Sequence, residues 1–171
     1  MTRTFRTTDP AQSAAMGRAI GRELRPGDVV LLHGDLGSGK TTLAQGIMRG
    51  LGIEGPIPSP TFTLVNEYEG QTATGTPVSV FHLDLYRLHD DDESDLESIG
   101  IEDYLAPADG ISLVEWPERA ASMLDGEYLS IEISPVGENE RIWRLSPLPA
   151  DSDRFPWLSQ VDQGQWDPNS R

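Results

Sequence analysis

The stretch DVVLLHGDLGSGKTTLAQGIMRGLG, Asp28 to Gly52, decides the architecture. Val29 to Leu32 is an unbroken aliphatic run, the pattern of a strand buried on both faces of a parallel sheet. KTTLAQGIMRGLG, from Lys40, reads as a helix, and Gly52 is placed to end it. Between them, Gly34-Asp35-Leu36-Gly37-Ser38-Gly39-Lys40-Thr41 matches G-x-x-x-x-G-K-[ST] in full. Glycines at these places let successive amides turn inward onto phosphate oxygens. The helix N-terminus adds its dipole. Lys40 brings a cation to the β and γ phosphates, and the Thr41 hydroxyl suits magnesium. Asp35, Leu36, Gly37, Ser38, Gly39, Lys40, Thr41 and Thr42 form the expected nucleotide-binding run.

Magnesium needs a second oxygen anchor, an acid at the end of a neighbouring apolar strand. ISLVE ends at Glu115 and VFHLD ends at Asp84. Glu115 follows the more uniformly apolar strand and is the preferred metal-side acid. Asp84 is then the candidate for orienting or deprotonating the attacking water, and the two roles remain exchangeable. SPTFT, Ser59 to Thr63, is a proline-stiffened loop between the phosphate-loop helix and the next strand. It lies where switch segments of phosphate-loop proteins lie, which makes the hydroxyls of Ser59 and Thr61 candidates to reach the γ-phosphate or its metal, with a plain loop as the equal alternative. His33 and His82 flank the strands and are read as core or surface histidines.

Outward from this centre, Asp9, Pro10 and Gln12 mark the start of a first helix after a short strand, Thr4 to Thr7. The start of that helix is the place offered for adenine. TFTLVNEYEG and PVSVFHLDLYRL read as an antiparallel hairpin. Asp90, Asp91, Asp92, Glu93, Asp95 and Glu97 read as a solvated, acid-rich helix start. GISLVEW is another buried strand, PERAASML a short helix, and EYLSIEISPVG with ERIWRLSPL a final hairpin. The order predicts an α/β fold of P-loop NTPase-like type, a mixed β-sheet flanked by helices in a single domain. Residues 1–148 form the ATPase domain, and 149–171 are expected to be a polar, flexible tail, with packing of Trp157 and Trp166 back on the domain as the alternative.

The chain has 171 residues, no Cys, and a formal net charge of -15. Disulfides and thiolate chemistry are excluded. The charge opposes tight direct binding to a nucleic-acid backbone. The start MTRTFRTTDP has no apolar core, and no apolar run is long enough to span a bilayer, so a cytoplasmic location is expected. A GTPase would carry an N-K-x-D guanine reader, which is missing. A small-molecule or nucleoside kinase, the competing reading, would carry a basic lid to close on the phosphates. No such lid is evident, and ATP hydrolysis in a small domain is the preferred reading.

GDLGSGKTTLAQGIMRGLGI, SPTFTLVNEYEG, VFHLDLYRL, LESIGIEDYL and ISLVEWPER occur in an order and spacing that resemble the TsaE family. That family is the ATPase component of bacterial tRNA threonylcarbamoyladenosine biosynthesis. The resemblance covers about residues 5 to 146. It implies slow ATP hydrolysis with magnesium and partnership with the TsaD and TsaB proteins. TsaD would carry the transferase site, tRNA would be met only through the complex, and the ATP cycle would reset that complex between turnovers. Carried over by motif, Lys40 and Thr41 hold phosphate and magnesium, Glu115 lies at the metal, Asp84 serves hydrolysis, and Thr61 lies in the switch-like loop. Trp116 sits near the nucleotide as an environment-sensitive fluorophore. Leu83 stands where the family often has an aromatic residue, and the segment after Pro149 lies outside the pattern.

Overall fold

A computed structural model describes residues 1–88 and 93–161. The elements are β1 (Arg3–Thr7), α1 (Pro10–Glu23), β2 (Val29–His33), α2 (Lys40–Gly50), β3 (Val65–Gln71), β4 (Pro77–Asp84), α3 (Glu93–Ser98), α4 (Ile101–Leu105), β5 (Gly110–Glu115), β6 (Tyr128–Pro135) and β7 (Arg141–Leu148). Two 3₁₀ helices, Pro117–Met123 and Pro156–Ser159, complete the set among the described residues. The strands form a mixed sheet in the order β1-β7-β6-β2-β5-β4-β3. Its centre is parallel: β2 pairs with β5 and β6, and β4 pairs with β5. Its flanks are antiparallel, where β3 pairs with β4 and β7 pairs with β6 and β1. This is the α/β architecture expected from the sequence.

The aliphatic runs become central because a strand covered on both faces must be apolar throughout. Every residue of β5 is buried. On one face Val30, Leu32, Leu113 and Ile131 meet Met16 and Ile20 of α1 and Leu43, Ile47 and Met48 of α2. On the other face Val29, Leu31, Leu83 and Val114 meet Leu96, Ile101 and Leu105 of α3 and α4. α1 begins as its sequence dictates, with the Asp9 side chain accepting from the Gln12 amide and Pro10 in the first turn. The two long helices cross so closely that a methyl group would not fit between them. A Cβ on Gly21 would lie 2.2 Å from the Ile47 carbonyl oxygen. That crossing seats α2 with its N-terminus over the carboxyl edge of the sheet. Parallel strands β2, β4 and β5 all end at this edge, so the phosphate loop, Asp84 and Glu115 converge there.

Two expectations need correction. The alternation in TFTLVNEYEG predicts strand from its first residues, but β3 begins at Val65. The amide of Leu64 instead donates to the Pro60 carbonyl at 2.8 Å, closing a turn. Leu64 adopts a left-handed conformation at φ 66, and Phe62 projects into solvent, 84% exposed. Pro58 and Pro60 have no N–H to donate to a ladder, and the strand starts only after them. The second correction concerns the segment after Leu148. Phe155, Trp157, Leu158 and Val161 are buried in the α1–α2 core. Arg154 donates to the buried Asp28 carboxylate at 2.8 Å. Arg3 holds the Leu158 and Ser159 carbonyls at 2.8 and 2.7 Å. Residues 149–161 are therefore an integral cover for the core. The segment reads as polar by composition, yet its four large apolar residues, Phe155, Trp157, Leu158 and Val161, turn inward. Trp166 and the acids Asp90, Asp91 and Asp92 lie outside the described residues.

Candidate functional site

The loop between β2 and α2 wraps the end of the Lys40 side chain. Gly39, at φ 112, makes the left-handed turn that starts α2, which other residues resist. Lys40 Nζ donates to the Gly34 carbonyl at 2.5 Å and to the Asp35 carbonyl at 2.9 Å. The same ammonium sits 4.3 Å from the centroid of the Trp116 ring. Burial pushes the Lys40 pKa down, and the charges of Glu115, Glu118, Asp84 and Asp35 oppose that shift. Trp116 reaches this position through a left-handed backbone at φ 57, a strained conformation for a bulky residue. Its ring also packs on Tyr86, centroids 4.9 Å apart.

At the start of α2 the Thr41 hydroxyl donates to both oxygens of Glu115, at 2.9 and 3.1 Å. His82 Nε2 lies 2.7 Å from Glu115 Oε2, with both side chains buried. Asp84 pairs with Glu115 in the β4–β5 register. It is held differently. The Thr61 hydroxyl donates to Asp84 Oδ2 at 3.2 Å, and the Tyr86 amide donates to Oδ1 at 3.0 Å. Ser59 Oγ lies 2.7 Å from Thr61 Oγ1, extending the hydroxyl chain. Burial is the main reason that the Asp84 pKa is raised. The neighbouring Glu115 charge adds to it, against the lowering hydrogen bonds of Tyr86 and Thr61 and the His82 charge.

These side chains line an open cleft of about 320 Å³ whose walls include Leu36, Gly37, Gly39, Lys40, Thr41, Thr42, Thr61, Asp84, Tyr86, Glu115 and Trp116. Ser38 and Asp35 do not line it; Asp35 is exposed, and its carbonyl is one of the Lys40 acceptors. Ser38 is 1% exposed, and its carbonyl accepts from Arg141 Nε at 2.8 Å. His33 pairs with Glu118 Oε2 at 3.4 Å, away from the carboxylate pair. Among the described residues no cluster of three or more His, Cys, Asp or Glu stands ready to hold a metal alone. Thr41 and Glu115 nevertheless fit magnesium: both offer oxygen, they converge at one point, and magnesium takes its other ligands from water and phosphate.

Sequence reasoning missed a second hollow beyond Gly39 and Thr42. It is lined by Pro10, Ser13, Glu138, Asn139, Arg141 and Trp143 as well as those two residues. Pro10 and Ser13 belong to the start of α1, the place offered for adenine. Arg141, Asn139 and Trp143 come from the far hairpin. No local motif marks them, because only the β1–β7 and β6–β7 pairings bring them here. Tyr86 was likewise passed over, although the aromatic ring two residues after a strand-end acid was a visible signal.

The family model described as threonylcarbamoyl adenosine biosynthesis protein TsaE matches residues 7–143. The tRNA threonylcarbamoyladenosine biosynthesis protein TsaE of Bacillus subtilis (strain 168) is 36% identical over 137 residues, 80% of each chain. Its namesake from Nostoc sp. is 38% identical over 152 residues, covering 86% of this chain and 87% of that one. The crystal structure of Bacillus subtilis YdiB superposes with a TM-score of 0.73 at 30% identity, covering 94% of this chain and 93% of that one. With the family model spanning the phosphate loop, both carboxylates and the strands that carry them, the chain belongs to the TsaE family.

Proposed function

We propose that the protein binds and slowly hydrolyses magnesium-ATP, and that this cycle supports TsaD and TsaB in threonylcarbamoyl modification of the tRNA adenosine next to the anticodon. The observation that carries the reading is the contact of the Thr41 hydroxyl with Glu115 at 2.9 and 3.1 Å, at the head of the phosphate-loop helix and beside Asp84. A bare glycine-rich turn has no use for a strand-end acid on the first helical hydroxyl. The family membership supplies the pathway part of the proposal.

In this reading the loop amides and Lys40 hold the β and γ phosphates. Lys40 exchanges its carbonyl partners for phosphate oxygens. Thr41 and Glu115 hold magnesium, which when bound neutralises charge on the transferring phosphoryl group. Asp84 orients the attacking water and accepts its proton as the new oxygen–phosphorus bond forms and the bond to the ADP oxygen breaks. Thr61 keeps Asp84 aimed and senses the γ-phosphate. The base rests in the hollow between the start of α1 and Arg141. Trp116, beside Lys40, reports occupancy through its fluorescence.

The test is ATP hydrolysis by the isolated chain and by the chain with TsaD, TsaB and substrate tRNA. Weak turnover alone, raised by the partners together with modified tRNA, is expected. Equal rates and equal tRNA product with and without this chain overturn the proposal. Transfer of labelled phosphate to a small hydroxyl acceptor in preference to water would assign a kinase.

A further inference from the structure

His82 is completely buried on β4, two residues before Asp84 and therefore on the same face of the sheet. Its Nε2 lies 2.7 Å from Glu115 Oε2. Its other ring nitrogen, Nδ1, is buried with no hydrogen-bond partner. A carboxylate only accepts, so the proton of the contact belongs to Nε2. A leucine or phenylalanine would fill the same volume with no orphaned nitrogen. A half-satisfied imidazole in an apolar layer calls for a task at its satisfied end.

We infer that His82 is a positioning residue for Glu115, fixing the carboxylate so that one oxygen faces the Thr41 hydroxyl and the metal position. Glutamate has three rotatable side-chain bonds, and an exposed one samples many of them. Here the two oxygens are made unlike. Oε2 is tied down by His82 and has the longer Thr41 contact, 3.1 Å; Oε1 has the shorter, 2.9 Å. The deep oxygen is an anchor, and the other is presented to the cleft. Partners of this kind behind a metal-ligating carboxylate change metal affinity by about 10–100-fold. The inference rests on the proposed magnesium role of Thr41 and Glu115.

The experiment measures ADP binding by calorimetry, across a magnesium titration and with chelator, for the parent, His82→Leu, His82→Gln and Glu115→Ala. His82→Leu should raise the half-saturating magnesium concentration by about 10-fold or more and leave magnesium-free ADP affinity unchanged. His82→Gln, which returns an N–H near the Nε2 position, should recover most of that loss. A parent-like magnesium requirement in His82→Leu, with Glu115→Ala shifted, overturns the inference and spares the metal reading. Equal losses with and without magnesium make His82 merely structural and also overturn it. An unshifted Glu115→Ala removes the metal reading and the inference with it. Should His82→Leu fail to fold, nitrogen NMR of the parent decides. The proton must reside on Nε2, and that signal must move with magnesium-ADP more than with ADP alone; a proton on Nδ1 or an unmoved signal overturns the assignment.

Discussion

Asp84 and Glu115 are register partners on adjacent parallel strands, yet each has its own hydrogen-bonding system. Glu115 is bound to Thr41 and His82. Asp84 is bound to Thr61 and the Tyr86 amide. Two carboxylates in one cleft thus have different environments, which is how one site assigns different work to two like groups.

The raised pKa of Asp84 has a sign that can be checked. A carboxyl group whose folded-state pKa lies above its unfolded value of 3.8 favours folding below 3.8 and weakens it as pH rises through the folded value. Ionised Asp84 therefore costs stability at neutral pH. Asp84→Asn should melt at higher temperature than the parent at neutral pH, and the difference should shrink as the pH falls toward 3.8. Turnover should be lost at every pH. In the parent, the acid limb of the rate profile should lie above the ordinary aspartate range. Melting curves and ATPase profiles over the same buffers check both signs.

Lys40→Ala should weaken nucleotide binding by about 10–100-fold, the loss of a charge-assisted hydrogen bond worth ~1.5–3 kcal/mol. Because the ammonium stands 4.3 Å from the Trp116 ring, the variant's emission should differ before any nucleotide is added. Fluorescence titration of Trp116 reads both effects. Asp84→Ala should leave the affinity within a few-fold of the parent.

Thr61 holds Asp84 through its hydroxyl, at 3.2 Å. Thr61→Ala should slow hydrolysis by about 10-fold, equivalent to ~1.4 kcal/mol, with nucleotide affinity unchanged. Thr61→Ser should restore most of the rate. A rate loss shared equally by the serine variant would assign the effect to the turn backbone.

Residues 149–161 should be indispensable to the fold. Phe155, Trp157, Leu158 and Val161 are all in the core. At about 1.5–3 kcal/mol for each large buried side chain, their loss rivals the whole stability of a small domain, about 5–15 kcal/mol. A chain ending at Leu148 should be unfolded or aggregated by circular dichroism and gel filtration.

The architecture was legible where chemistry is local. The aliphatic runs of β2 and β5, the glycine–lysine loop and the Asp9–Pro10 helix start each carry their own explanation. The structure also brings Lys40, Thr41, Thr61, Asp84, Glu115 and Trp116 to one cleft. What escaped reading depends on contacts remote in sequence. Phe155 and Leu158 gain burial only against a core assembled from remote helices and strands, so a polar composition concealed them. Arg141 reaches the phosphate loop through hairpin register. His82 looks like any strand histidine until Glu115 is set beside it. The turn at Leu64 replaced a strand because the carbonyl of Pro60 competes for its amide.

The pairing of β1 with β7 has a consequence for synthesis. Thr7 faces Arg141 across the ladder, and Trp143 Nε1 donates to the Thr7 hydroxyl at 2.8 Å. β1 precedes the phosphate loop in the chain and its ladder partner β7 follows it, so the sheet is completed only when the segments on both sides of the loop have been made. Until β7 is in place, the outer edge of β6 is uncovered and β1 has no strand to pair with.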